Sequence, residues 1–147
     1  MNVKPWKNIK VKSIYKKAWI EMGTESPFNL DADIKSVLSE EDDIESVELQ
    51  IQEDLRKGIY EGCICGNLDS ACCLKMRIPI SGHGKRNGAR GFVIAVRYKG
   101  TAYLLALRSH SRGNTKRKGK DASLTDEELK FVKAFIRELE RDNKHEA

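Results

Sequence analysis

No aspartate or glutamate occurs between Ser70 and Lys120, although this stretch holds thirteen lysines and arginines. The segment 21–69 is the reverse, with fourteen acidic residues against three basic ones. The formal net charge of +5 therefore conceals charges that are segregated along the chain. A field of one sign attracts an opposite polyelectrolyte, and the polyelectrolyte that suits a basic segment best is nucleic acid.

Long apolar runs are also missing. Six lysines interrupt residues 1–23, which therefore lack the continuous hydrophobic segment of a signal peptide or membrane span. We expect a cytoplasmic protein with no membrane partner. At 147 residues and 39% hydrophobic content, the chain suits a single domain, 1–147, with one core.

Cysteine is scarce, and its spacing is unusual for a metal site. A C-x-C at Cys63 and Cys65 and a C-C at Cys72 and Cys73 lie in a predicted loop, 62–73. Structural zinc usually takes pairs spaced C-x2-C or wider, and adjacent residues on a strand point to opposite faces. We therefore expect reduced thiols packed as small apolar groups, with no metal and no other cofactor.

The first part of the chain, 1–61, is predicted to be helical and acidic. Residues 10–14 indicate a short strand or helix start that leads into a helix ending at Gly23, and 31–38 indicate another short helix. The clearest pattern is a helix with an acidic outer face, capped by Asp42 or Asp43 and stopped by Gly58. Its apolar positions recur at helical spacing: Ile44, Val47, Ile51 and Leu55.

After Gly66 the pattern becomes typical of strands. We expect strands over 72–78, 92–98 and 101–108, with a tight turn at 99–100 joining the last two. Those two strands are apolar on both faces, which indicates positions inside a sheet that is covered on both sides.

A closing helix follows the predicted strands. Thr125 and Glu128 form a capping box, and an apolar stripe continues from Leu129 to Leu139. The part 70–142 is therefore predicted to be a basic β-meander with a closing helix. The fold class that results is a small α+β domain, with amino-terminal helices packed on an antiparallel sheet and a carboxy-terminal helix.

A glycine-rich basic loop lies between the first two predicted strands, where residues 81–90 read SGHGKRNGAR. Glycines let the backbone approach a ligand closely, and neighbouring cations suit phosphate oxygens. The residue order of a Walker loop is absent and a strand follows in place of a helix, which argues against nucleoside triphosphate hydrolysis.

Three segments in this order, 75–79, 82–90 and 124–129, resemble the RelE/HigB-like toxins of bacterial toxin and antitoxin pairs. They are similar to a K-R-x-x-x-x-G-x-G-K-x-G-G-x-R signature and to an S-D-E-E-L helix opening, and the likeness covers residues 74–139. The resemblance implies a RelE-like fold and an endoribonuclease that cuts mRNA on the ribosome and so inhibits translation. Its implied partners are mRNA, ribosomal RNA, the ribosome and a cognate antitoxin protein.

Metal-free RNA cleavage determines which residues are candidates for catalysis. The 2′-hydroxyl attacks the phosphorus, so the protein must remove its proton, neutralise the phosphorane oxygens and protonate the leaving 5′ oxygen. Cations in fixed positions meet the second need, and imidazole suits proton transfer near neutral pH. The catalytic candidates are Lys85, Arg90, Arg108 and His110, with His83 as the alternative imidazole.

A larger set of cations is predicted to bind the RNA backbone. We expect the loop cations and Arg108 to converge at one end of the sheet, and the basic segment after the last strand to act as a phosphate clamp. The nucleic-acid-binding candidates are Arg77, Lys85, Arg86, Arg112, Lys116, Arg117 and Lys118.

Two other interpretations fit the same charges. One keeps the fold and the nucleic-acid binding without cleavage, as in a phage or mobile-element inhibitor of bacterial immunity built on a toxin-like scaffold. The other is a protein-interaction module whose acidic helix and basic hairpin bind complementary partners. Growth arrest on expression distinguishes the ribonuclease from both.

Overall fold

The computed structural model describes residues 4–80, 88–109 and 123–146. In chain order its elements are β1 Lys10–Ser13, α1 Lys16–Glu21, α2 Leu30–Val37, α3 Ile44–Lys57, β2 Gly62–Gly66, β3 Ala71–Ile78, β4 Ala89–Val96, β5 Thr101–Ser109 and α4 Asp126–Glu146. The strands form one mixed sheet in the order β1-β5-β4-β3-β2. β1 runs parallel to β5, and the other neighbours are antiparallel.

The predicted α+β class is confirmed, but the prediction of a wholly antiparallel sheet is wrong. β1 lies where a short strand or a helix start was expected, but its parallel pairing with β5 was not predicted. β2 lies within the predicted loop 62–73 and forms a hairpin with β3, the predicted first strand. Both strands are short and weakly marked: β1 reads KVKS and β2 reads GCICG. Each contains a single β-branched residue, Val11 in β1 and Ile64 in β2, which is too weak a pattern to make a strand recognisable.

The α3 helix begins and ends where its caps predict. The Asp43 side chain accepts a hydrogen bond from the Ser46 N–H at 2.7 Å, which satisfies one of the free donors of the first turn. Gly58 takes a left-handed conformation (φ 78°) that a residue with a side chain adopts only at a cost. Three apolar side chains spaced through the helix are buried, namely Val47, Ile51 and Leu55.

The predicted capping box of α4 is present. The Thr125 N–H donates to Glu128 at 2.8 Å, and the Glu128 N–H donates to the Thr125 hydroxyl at 3.1 Å. Phe131, one turn further on, packs edge-on against Trp19 of α1 with ring centroids 5.2 Å apart. No helix in the described ranges, including the 21 residues of α4, has the apolar length needed to cross a membrane.

The sheet separates two apolar layers. One face, here called the α3 face, packs against α2 and α3, and the opposite face, the α4 face, packs against α1 and α4. Alternate residues of β4 enter the two layers, so Phe92 and Ile94 lie on the α4 face and Val93 and Ala95 on the α3 face. All eight residues of β4 are buried, which confirms the predicted central strand.

Arg97 connects three segments at the end of the sheet where the β4–β5 turn lies. Its Nε donates to the Leu68 carbonyl at 2.7 Å, and its Nη1 donates to the Pro5 carbonyl at 3.1 Å. Its guanidinium also lies 3.7 Å from the centroid of the Trp6 ring, within reach of a cation–π interaction. This member of the basic stretch therefore has a structural role.

We expect Arg97→Ala to lower the free energy of unfolding by about 2–4 kcal/mol, because two charge-assisted hydrogen bonds and a ring contact are lost together. Arg97→Lys keeps the charge but loses the forked donor geometry, so it recovers only part of that stability. Lys99→Ala, in the same turn, changes stability by less than about 0.5 kcal/mol. Urea denaturation measures all three, and equal effects of Arg97→Ala and Lys99→Ala would contradict the structural role.

Candidate nucleic-acid interface

Three arginines occupy directly paired positions on three adjacent strands. Arg77 of β3 pairs with Arg90 of β4, which pairs in turn with Arg108 of β5. Because paired residues share a face and strands lie about 4.8 Å apart, this arginine row crosses about 10 Å of the sheet. Arg90 stands two residues before Phe92, so the row lies on the α4 face.

Solvent exposure falls sharply from the edge of the row to its centre. The Arg77 side chain is 54% exposed, Arg108 is 21% exposed and Arg90 only 5%. The outer guanidinium is therefore available to a ligand, whereas the central one is fixed in place in a region of low dielectric. Charges act more strongly on one another in such a region than in water.

Glu61 holds two members of the row together. Its Oε1 atom accepts a hydrogen bond from Arg77 Nε at 3.2 Å and lies 2.8 Å from Arg90 Nε. The backbone N–H of Glu61 donates to the Lys75 carbonyl at 2.8 Å, which extends the pairing of β2 with β3 by one residue. A carboxylate is thereby placed between two guanidiniums at the edge of the sheet.

Arg90 is incompletely satisfied by hydrogen bonds despite this ion pair. The Nε–H does not point at the Glu61 oxygen, and within the described ranges neither Nε nor Nη1 of Arg90 has a hydrogen-bond acceptor. Leaving donors of a buried charged group unpaired is costly. An anion with several oxygens would satisfy these donors, and a phosphodiester is such an anion.

Arg108 is attached to the start of α4. Its Nη2 donates to Oε2 of Glu128, whose other oxygen accepts the N–H of Thr125 in the capping box. Glu128 is buried, so this ion pair is shielded from solvent. The capping box predicted from the sequence thus also fixes the third arginine of the row.

Asp33 completes the charged cluster from the side of α2. Its Oδ2 accepts the Leu107 N–H at 3.0 Å, beyond the point where β1 stops pairing with β5. Burial raises the pKa of the Asp33 carboxyl; its hydrogen bond with Leu107 and the charge of Arg108 oppose that rise, and the charge of Glu128 adds to it. The carboxyl therefore satisfies an otherwise open strand edge at an electrostatic cost.

Both basic segments join the sheet at the end where the arginine row lies. Ile78 at the end of β3 pairs with Ala89 at the start of β4, and Ala89 pairs with Ser109 at the end of β5. The structure thus brings together Arg77, Arg90 and Arg108 of the predicted site. The other predicted site residues lie outside the described residues: His83, Lys85, Arg86, His110, Arg112, Lys116, Arg117 and Lys118.

Two carboxylates of this site were not predicted from the sequence. Glu61 was missed because its place beside β3 depends on a hairpin that was interpreted as a loop. Asp33 was missed because a carboxylate in the first turn of a helix usually serves that helix, whereas this one caps a strand. Only Glu128 had a signal in the sequence, and that signal concerned the start of α4.

The cysteines lie on β2 and at the start of β3 and form no part of the row. Cys72 is buried on the α3 face and Cys73 on the α4 face, and all four thiols are free. Burial raises the pKa of both buried thiols well above the ordinary value, so they stay protonated at neutral pH. In the ranges that the structure describes, no group of three His, Cys, Asp or Glu side chains could hold a metal ion.

No protein-family model matches this chain, and no curated protein or solved structure matches it either. The likeness to RelE/HigB toxins therefore rests on the sequence motifs alone. What the chain does must be inferred from its own residues.

The raised pKa of Asp33 predicts how stability responds to pH. A raised pKa in the folded state means that ionisation of Asp33 opposes folding at neutral pH. Asp33→Asn keeps an acceptor for the Leu107 N–H without the charge, so we expect this variant to be at least as stable as the wild type at pH 7. The wild type should regain that difference as the pH falls towards 3.8, the ordinary pKa of the carboxyl.

Urea denaturation from pH 7 to pH 4 measures this response. Asp33→Ala is the matched control, because it leaves the Leu107 N–H without a partner and should cost about 1–3 kcal/mol at every pH. A difference between Asp33→Asn and the wild type that widens in acid would contradict the assignment.

Proposed function

We propose that this chain is a metal-independent endoribonuclease that cleaves mRNA and inhibits translation, as the resemblance to RelE/HigB-like toxins implies. The observation that carries the proposal is the arginine row, which stands in register at the end of the sheet where both basic segments attach. A fixed line of guanidiniums suits the backbone of a single RNA strand.

The row provides the electrostatic part of such a reaction. Attack of the 2′-oxygen on phosphorus creates a pentacovalent centre with additional negative charge on its equatorial oxygens. Arg90 and Arg108 would neutralise that charge from positions that are fixed before the substrate arrives, so little reorganisation is needed. Arg90 is shielded from solvent, so it would act on those oxygens through its charge from beneath, while the exposed Arg77 would contact them directly.

Glu61 is the candidate general base. As the 2′-O–P bond forms, its carboxylate would take the 2′-hydroxyl proton, next to the guanidiniums that hold the phosphate. His110 follows Ser109, the last residue of β5, and would give a proton to the 5′ oxygen as the P–O5′ bond breaks. Lys85 adds positive charge from the loop. The products are a 2′,3′-cyclic phosphate and a 5′-hydroxyl.

The partners follow from the resemblance and from the charge distribution. The basic segments would dock on ribosomal RNA while the arginine row engages mRNA in the ribosome, and an antitoxin would silence the protein by covering the row. Acidic residues predominate in 21–69, and like-charge repulsion would keep that part away from the RNA backbone except at the residues that adjoin the arginine row, such as Glu61.

One observation favours a second candidate function. The Arg108 guanidinium is already neutralised by a buried carboxylate, Glu128. A protein that only binds nucleic acid needs charge at its exposed positions alone, such as Arg77, and can use its inner arginines for stability. The alternative is therefore a non-catalytic nucleic-acid-binding protein on a toxin-like scaffold, such as an inhibitor of bacterial immunity.

Inducible expression with mapping of cellular RNA ends tests the proposed activity. We expect the wild type to arrest growth and to produce new 5′-hydroxyl ends within coding regions. Arg90→Ala with Arg108→Ala should abolish both effects, because loss of one transition-state donor alone costs about 10²–10³-fold. Lys99→Ala removes one cation at the opposite end of the sheet and should leave both effects unchanged.

Arg90→Lys with Arg108→Lys guards against a simple failure to fold. It keeps both charges in the buried pairs, so a thermal unfolding transition should remain while cleavage falls, since forked donors are lost. Wild-type protein that binds RNA but neither arrests growth nor produces new RNA ends would favour the second candidate, and full activity of the alanine pair would eliminate the arginine row as the site.

Glu61→Gln separates catalysis from binding. The amide cannot accept the 2′-hydroxyl proton, so we expect cleavage to fall by about 10²–10⁴-fold. Affinity for RNA should stay the same or rise, because a negative charge is removed beside the phosphate. A purified-protein cleavage assay combined with fluorescence anisotropy measures both, and a loss below about threefold would transfer the role of base to an imidazole.

A further inference from the structure

A cavity of about 350 Å³ adjoins the exposed end of the arginine row. Arg77 belongs to both, and Glu61, which pairs with Arg77 and Arg90 of the row, also lines the cavity, so a ligand held by the row would extend into it. The remaining walls come from the C-terminal half of α3, the residues that follow it and the end of β3. The volume lies in the range of pockets that accept small organic groups.

The cavity has an apolar wall suited to a flat ring. Ile59, Ile78 and Pro79 contribute to it, and Ile59 is 56% exposed although it is a large hydrophobic residue. The hydroxyl of Tyr60 donates to the Lys4 carbonyl at 3.1 Å, which fixes the position of its ring in the wall. Proteins that bind single-stranded RNA hold unstacked bases against aromatic and apolar side chains of this kind.

Two hydrogen-bond acceptors stand side by side in the same cavity. Gln50 Nε2 donates to Asp54 Oδ1 at 3.0 Å, and this direction is obligatory because a carboxylate only accepts. The bond leaves Oδ2 of Asp54 and Oε1 of Gln50 as acceptors for a ligand. The hydroxyl proton of Tyr60 is engaged with Lys4, and Arg77 supplies donors at the end of the cavity that adjoins the row, so the acceptors of the cavity lie at the Gln50 and Asp54 end.

Only one RNA base presents two neighbouring donors on its Watson–Crick edge. Guanine carries N1–H beside its N2 amino group, whereas adenine and cytosine each place a ring acceptor beside the amino group, and uracil flanks its single N–H with two carbonyls. A carboxylate facing an acceptor would be repelled. The acceptor pair therefore discriminates in favour of guanine.

We propose that this cavity binds a guanine base of the RNA whose phosphate lies on the arginine row, with Asp54 and Gln50 reading the Watson–Crick edge. The inference rests on the proposed function for its substrate, and it adds a base preference that the row itself cannot supply, because phosphate contacts carry no sequence information. Arg77 connects the two parts of the site, since it belongs to the row and lines the cavity.

Binding of the four 3′-nucleoside monophosphates to the full chain tests the inference. By isothermal titration calorimetry, 3′-GMP should bind about 5- to 150-fold more tightly than 3′-AMP, 3′-CMP or 3′-UMP, the discrimination expected of a bidentate pair. Asp54→Asn places a donor opposite the base and should abolish the preference. Glu53→Gln, an exposed neighbour on α3 that does not line the cavity, should leave it intact.

Two further results keep the test decisive. Gln50→Leu removes the second acceptor and should also reduce the preference, with the unfolding transition of each variant confirming that it folds. Equal binding of all four nucleotides, or a guanine preference that survives Asp54→Asn, would overturn the inference. Because mononucleotide binding needs no cleavage, a guanine preference without RNA cutting would sustain the base site while the ribonuclease proposal fails. Cleavage with no base preference would do the reverse.

Discussion

The register of three neighbouring strands is the constraint on which the site depends. β3, β4 and β5 are paired so that Arg77, Arg90 and Arg108 face one another directly. A slip of one residue on β4 would send Arg90 to the α3 face, into an apolar layer. The cost of burying an unpaired guanidinium there opposes the slip and thereby helps to fix the position of the charges.

Burying guanidiniums in this arrangement carries a cost that the carboxylates offset. An unpaired charge beneath α4 would destabilise the fold by several kcal/mol, so Glu61 and Glu128 are required in some form whatever the site does. The two ion pairs differ in geometry. Arg108 donates a hydrogen bond to Glu128, whereas Arg90 lies close to Glu61 without a directed hydrogen bond. The centre of the row is thus held in place by charge, and within the described residues two of its donors have no hydrogen-bond acceptor.

Local signals allowed much of the fold to be predicted, and long-range pairing accounts for what was missed. The caps at Asp43 and Gly58, the capping box of α4 and the apolar alternation of β4 are all encoded within a few residues, and all are present. β1 pairs with β5, a partner far away in the sequence, and β2 is a five-residue strand, so these short and weakly apolar segments carried little information. Glu61 was missed for the same reason, since its role comes from a neighbour sixteen residues away.

The charges that are segregated along the sequence are therefore distributed differently in the folded structure. The basic stretch does not act as a unit, because Arg97 stabilises one end of the sheet while the arginine row occupies the other. The acidic part supplies Asp33 and Glu61 to that row, so the cluster draws on both halves of the chain. Positive charge is consequently fixed at the arginine row, where it would face a phosphate, and hydrogen-bond acceptors lie beside the row, where they would face a base. A uniformly basic surface would bind RNA without fixing the phosphate in one position and without selecting the base.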